Sequence, residues 1–185
     1  MEWTAGGTLT IAPALRHPEL LATPVADALA HLDPEVADTI GVAEIDPALA
    51  DTAEFCARYG VAMDASANCV VVRGKRGGDV RFAACMVLAT TRADVNGVVR
   101  RRLDVRTASF APMDEAVELT GMEYGGITPI GLPADWPLLV DAAVAEAPEV
   151  VIGGGVRGSK LFLPGRALLA LTGAELVEDL ARPVG

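Results

Sequence analysis

The chain has 185 residues, 51% of them hydrophobic and 22% charged, a balance that fits one soluble domain with a sizeable core and excludes a disordered chain. No apolar run reaches the roughly 18 residues that span a bilayer, and a net charge of −10 at first argues against a nucleic-acid partner. The charge is uneven, −9 over residues 1–66, +6 over 67–110 and −7 over 111–185. The basic middle third is therefore either a local phosphate-attracting surface or a solvated arginine-rich face. The N-terminal run lacks a basic start followed by an apolar block, so no signal peptide is expected. Residues 20–32 place Leu21, Val25, Ala28, Leu29 and Leu32 on one stripe, which predicts a helix. Residues 39–46 read as a short strand. Residues 47–60 read as a helix with Pro47 in its first turn and Gly60 as its stop. Residues 68–91 form a hairpin pattern, two β-rich runs around the turn Gly74-Lys75-Arg76-Gly77-Gly78.

Residues 93–103 read as a helix with Val95, Val98, Val99 and Leu103 inward and Arg100, Arg101 and Arg102 outward. A strand over 105–110 and a short helix over 113–121 follow, the helix with acids in its first turn where its dipole favours them. Residues 137–144, 149–154 and 160–165 read as strands, 167–173 as a last helix and 174–181 as a closing segment. Strands on short glycine turns with helices between some of them indicate an α+β domain. Residues 1–66 are expected to be a helical flank on a core spanning 67–185, the whole forming one structural unit.

Classical catalytic groups are scarce. His17 and His31 are the only histidines, both in the N-terminal segment and away from any nucleophile turn. Cys56, Cys69 and Cys85 are widely spaced and odd in number. They suit a reducing cytoplasm and form neither a disulfide frame nor a metal site. Cys69 and Cys85 lie in apolar strands and read as core. Asp114, Glu115 and Glu118 read as surface acids. The run Gly153-Gly154-Gly155-Val156-Arg157-Gly158 matches the dinucleotide pattern G-x-G-x-x-G, but a strand and Pro164 follow where that fold needs a helix, so no cofactor is implied. What remains is backbone. Gly125, Gly126, Gly131 and Gly153 to Gly155 let main-chain N–H groups approach a carboxylate, a phosphate or an oxyanion, with Pro129 and Pro133 stiffening the first loop. The alternative is a set of plain turns between strands.

The block GMEYGGITPIGLP, the strand LLVD ending at Asp141 and the turn GGGVRG, in that order, resemble the YbaK/ProX family of aminoacyl-tRNA editing domains. The likeness runs from about residue 68 to 172. It implies a single compact α+β domain with a mixed, barrel-like β-sheet flanked by helices, acting in the cytoplasm. It also implies an activity: hydrolysis of the ester between a small wrong amino acid, such as alanine or cysteine, and the 3′ end of a proline or related tRNA. No cofactor and no metal are implied. The aminoacylated tRNA is the implied partner, with a synthetase as a further one. Gly125, Gly126 and Pro129 would form a stiff loop over the ester. Gly153, Gly154, Gly155, Thr128 and Cys69 would contact the substrate, with Gly153 and Gly155 as N–H donors. Arg157 and Arg100 to Arg102 would hold tRNA phosphates.

The chain departs from the family pattern at two places. Asn68 and Cys69 stand where the family carries Lys and Thr, and Lys160 stands where it carries an acid. The paired exchange leads to the expectation that Lys160 replaces the missing cation from the opposite wall of one pocket, with Asn68 orienting the amino acid. The alternative is a binding module for an amino acid, a tRNA or a synthetase, without chemistry.

Overall fold

The computed structural model describes residues 2–184. The two-residue strand β1 (Ala12–Pro13) leads to helices α1 (Thr23–His31) and α2 (Pro34–Ala37), then β2 (Gly41–Glu44) and α3 (Thr52–Tyr59). A long hairpin, β3 (Ala67–Arg76) and β4 (Asp79–Leu88), is followed by β5 (Thr91–Ala93). A wide π-type turn, Val95–Val99, runs directly into α4 (Arg100–Arg102), and β6 (Thr107–Phe110) and α5 (Met113–Thr120) come next. The remainder is β7 (Leu138–Asp141), α6 (Ala142–Glu146), β8 (Val150–Gly153), β9 (Ser159–Leu163), a 3-10 stretch over Gly165–Ala170, β10 (Ala174–Val177) and β11 (Ala181–Pro183).

The strands form a four-stranded sheet of order β1-β2-β9-β8, a five-stranded sheet of order β10-β7-β4-β3-β6, and a two-stranded ribbon of β11 with β5. The ladders stay separate and do not close into a barrel. A parallel bridge from Ser66 to Val151 joins the two large sheets at one edge. Period-two alternation decides which face each residue serves. Leu161 and Leu163 of β9, Val150 and Ile152 of β8, Ala84 and Met86 of β4, and Leu138 and Val140 of β7 share the main core with Val25 and Leu29 of α1. The intervening Ala83, Cys85, Val87 and Leu139 face a second core capped by Val95, Val99 and Leu103. On the outer side of the four-stranded sheet, Val151 and Phe162 pack against Phe55 and Cys56 of α3. Lys160, two residues before Phe162, shares that outer face.

Several local expectations change. The hairpin turn is only Gly77-Gly78, because Arg76 is registered opposite Asp79, and Gly77 at φ +60° suits a two-residue connection. The strand reading over 137–144 stops at Asp141, whose carboxylate accepts from the Ala143 N–H at 3.1 Å and starts α6. The proposed last helix is a 3-10 stretch, and the closing segment supplies β10 and β11. Residues 12–13, inside the expected helical flank, form a strand, and the short strand read over 39–46 is β2, pairing along β9 from Gly41–Phe162 to Glu44–Ser159.

Asp141 is 7% exposed and ties two elements, since its second oxygen accepts from the Ala181 N–H at 3.0 Å. Replacing it by Ala removes the helix cap and leaves a half-buried N–H unpaired. The expected loss is about 1–3 kcal/mol, read as a lower urea midpoint with an unchanged slope, with Asp141→Asn losing less. A midpoint unchanged in Asp141→Ala contradicts this role.

Candidate active site at the seam of two sheets

Strand β3 is only half covered on its outer edge. Its register with β6 runs over Val72–Lys75, and the edge over residues 67–71 has no β6 partner. Across that gap stand Val151 and Gly153 of β8 and Lys160 of β9. The start of α3 and the loop over 124–127 close the remaining sides. The space between them is a cavity of about 400 Å³, within the range of small-ligand sites. Groups of the strand backbone also face it. The Val71 carbonyl points outward, accepting from the Ala111 N–H at 2.9 Å. Alternation along an antiparallel strand turns the Cys69 N–H and C=O to the same side.

Lys160 and Asn68 line this one cavity from different sheets. Lys160 is 8% exposed, and its Nζ donates to the Ala50 carbonyl at 2.9 Å and lies 5.0 Å from the centre of the Phe55 ring. An ammonium has three donors; the others are left for a cavity occupant. Burial pushes its pKa down to about 8, with Arg157 adding to the shift and Cys56 and Asp51 opposing it. Asn68 accepts from the Thr52 hydroxyl at 3.0 Å through Oδ1, which leaves its amide N–H groups as donors. Cys69 also lines the cavity, but burial raises its thiol well above the ordinary range, and that of Cys85 to about 12. Neither thiol is a nucleophile near neutral pH.

The two glycine turns meet, and they meet each other. Gly155 N–H donates to the Gly126 carbonyl at 2.7 Å, and Glu123 N–H donates to the Gly155 carbonyl at 2.8 Å. A Cβ on Gly153 would collide with the Gly126 carbonyl, so the close approach itself demands glycine there. The expected donor role of Gly155 is therefore corrected, because its N–H is already spent inside the protein. The Gly126 N–H is spent likewise, on the Glu123 carbonyl at 2.9 Å. Gly154 faces Ser159, and its carbonyl accepts from Ala22 at 3.2 Å, away from the cavity. Gly125 and Gly153 do line the cavity. Gly125, at φ +86°, lies where a Cβ would strike Arg157 Nη1. Thr128 and Pro129 are buried behind the loop, drawn under by the fully buried Ile130.

Arg157 is not a free phosphate contact. Its Nε donates to the Pro47 carbonyl at 3.0 Å, and its Nη1 reaches Asp51 Oδ1 at 3.3 Å and the Tyr124 carbonyl at 3.4 Å. It clamps the start of α3 to the glycine loop. Arg100, Arg101 and Arg102 lie on α4, beyond the second core, and Arg102 pairs with Glu175 at 2.8 Å; the fold does not bring them to the cavity. His17 and His31 are surface groups bonded to Glu19 and to the Asp27 carbonyl. Sequence reasoning missed Thr52, Phe55, Ser66 and Tyr124 in the lining. Phe55 lies in the helix predicted over 47–60 and Tyr124 in the glycine-rich block GMEYGGITPIGLP, but neither was singled out there.

A family model described as aminoacyl-tRNA editing domain matches residues 46–171. Three solved structures share the fold. A candidate trans-editing enzyme for prolyl tRNA synthetase is 24% identical with a TM-score of 0.65, over 91% of this chain and 98% of that one. Hypothetical protein APE2540 is 24% identical with a TM-score of 0.69, over 80% and 95%. A scaffold from work on epitope backbone grafting is also 24% identical with a TM-score of 0.69, over 85% and 95%. Among the described residues no helix is long and apolar enough to cross a membrane.

The clamp generates a prediction. Arg157→Gln removes charged hydrogen bonds to three acceptors and should loosen the glycine loop without unfolding the sheets. Amide exchange at Gly126 and Gly155 should speed up at least about tenfold, with α1 unaffected. Unchanged exchange at both glycines contradicts the clamp.

Proposed function

The chain belongs to the aminoacyl-tRNA editing domain family, and from that premise we propose that it is a trans-acting deacylase of mischarged tRNA, working in the cytoplasm on an ester of a small amino acid such as alanine or cysteine. The observation that carries this reading is the buried ammonium of Lys160, held at one wall of a cavity of about 400 Å³ with donors to spare. Water adds to the ester carbonyl, the bond to the ribose oxygen breaks, and free amino acid and tRNA leave. The charge that develops on the carbonyl oxygen is met by Lys160 and by the main-chain N–H of Cys69, both fixed before the substrate arrives. The neighbouring ribose hydroxyl of the substrate itself orients the water, the role that the resemblance to the editing family implies. Asn68 positions the amino acid through its amide. The cavity volume sets an upper limit on the side chain, a sieve whose power against one extra methylene is modest. Proline tRNA is the first tRNA to test, and association with a synthetase is a further proposal.

The departure at Asn68 favours a second reading, in which the same cavity holds an amino acid or the end of a tRNA without turnover. A deacylation screen over alanine- and cysteine-charged tRNAs separates the two: release of amino acid supports the enzyme, and binding without release supports the module.

The role of Lys160 fixes a pH dependence. The working form is the ammonium, which predominates below about 8 and is lost as the pH rises through that value. Lys160→Met should lower kcat about 10²–10³-fold at pH 7. The wild-type advantage over that variant should shrink as the pH passes 8, although uncatalysed ester hydrolysis rises. Equal rates for the two proteins at pH 7 defeat the assignment.

A further inference from the structure

The cavity has a buried end and an exposed end. Lys160 lies at the buried end, whereas Phe110 and Tyr124 line the outer end at 54% and 56% exposure. Neither ring belongs to the aromatic pairs Phe55–Tyr59 or Phe82–Trp136. Two large rings left in water at the mouth of a cavity forgo burial that a flat ligand can restore. Phe110 also ends β6, the outer strand of the five-stranded sheet, on which Thr107 and Ser109 are exposed as well. About 13 Å back along that edge, at about 3.3 Å per residue, stands Arg106, which alternation places on the same face as Phe110, whereas Lys75, across the register from Thr107, belongs to the opposite face. Arg106 is exposed and joins no ion pair among the described residues. Nearby Arg76 and Arg81, in contrast, are both paired to Asp104.

We infer that the β6 edge is a track for the single-stranded 3′ end of an RNA. The terminal base stacks against Phe110 and Tyr124, the ester that its ribose carries enters the cavity toward Lys160, and a preceding phosphate is drawn to Arg106. The inference rests on the deacylase reading, because it is an ester in the cavity that brings a nucleoside to the rim. Stacking on aromatic side chains is indifferent to sequence, and cations along the backbone path complete this mode of single-strand binding. It also explains how a chain of net charge −10 takes hold of an RNA: the contact is confined to one basic edge.

The test uses a short single-stranded RNA ending in 3′-alanylamino-3′-deoxyadenosine, whose amide resists hydrolysis, beside alaninamide, which has no base. The intact protein should bind the RNA probe more tightly than alaninamide. Phe110→Ala and Tyr124→Ala should each weaken the RNA probe about tenfold and leave alaninamide unchanged, with Phe110→Trp restoring affinity. Replacing Arg106 by Ala should flatten the salt dependence of RNA binding. RNA affinity unchanged in both ring variants overturns the track. So does an intact protein that binds the RNA no better than alaninamide, or a self-association that Phe110→Ala abolishes while RNA affinity stays constant. The probe requires no turnover. A protein that binds it through the rings yet hydrolyses no mischarged tRNA therefore supports the track and refutes the deacylase reading alone. Hydrolysis with kcat/KM unchanged in both ring variants refutes the track alone.

Discussion

The structure depends on one main-chain contact, the pairing of the turn at Gly153–Gly155 with the loop at Glu123–Gly126. Two hydrogen bonds of 2.7 and 2.8 Å join them, and Gly153 leaves no room for a side chain between them. That contact fixes the end of β8 against the loop. Arg157, emerging from the same turn, then reaches back to Pro47 and Asp51 and holds the start of α3. The start of α3 in turn presents the Ala50 carbonyl to Lys160. The cavity is thus a gap held open from three sides, by an unpaired strand edge, a glycine clasp and a helix start.

Within that frame, one electrostatic arrangement works against stability. An ammonium taken out of water with a single carbonyl and a ring face for company is under-satisfied, and its lowered pKa records this. A methionine of similar length would fit the apolar surroundings of Phe55 at less cost. A group kept against its solvation preference at the wall of a cavity is what electrostatic preorganisation requires. In this chain the buried cation comes from β9, while Asn68 of β3 lines the same cavity.

Much of this was legible in the sequence. β-rich apolar runs bounded by glycine turns located β3, β4, β8 and β9, since each buries apolar side chains on both of its faces or packs one face on the core. The Gly60 stop located the end of α3, and first-turn acids located α5. The glycine turns could be seen to matter, but their purpose could not. A glycine that offers an N–H to a ligand and one that lets two loops touch look the same in a sequence, and here Gly155 and Gly126 spend their N–H groups internally. Arg157 was misread for a similar reason, because its partners are carbonyls of Pro47 and Tyr124, and backbone acceptors carry no residue signature. The open edge of β3 is invisible for a different reason. It arises from where β6 stops pairing, a tertiary fact that residues 67–71 do not encode by themselves. Likewise, β1 is two residues long and is a strand only through its pairing with β2, whereas β2 lies within the strand read over 39–46.

The central claim is that a partly desolvated ammonium faces the cavity. The most direct measurement is an NMR titration of Lys160, followed through its side-chain Cε and Nζ resonances in the free protein and with the amide-linked alanyl-adenosine RNA bound. The account predicts a midpoint near 8 in the free protein, and a shift of that midpoint when the probe occupies the cavity. A midpoint at the ordinary lysine value of 10.5, unmoved by the probe, would place the amine in solvent and contradict the account.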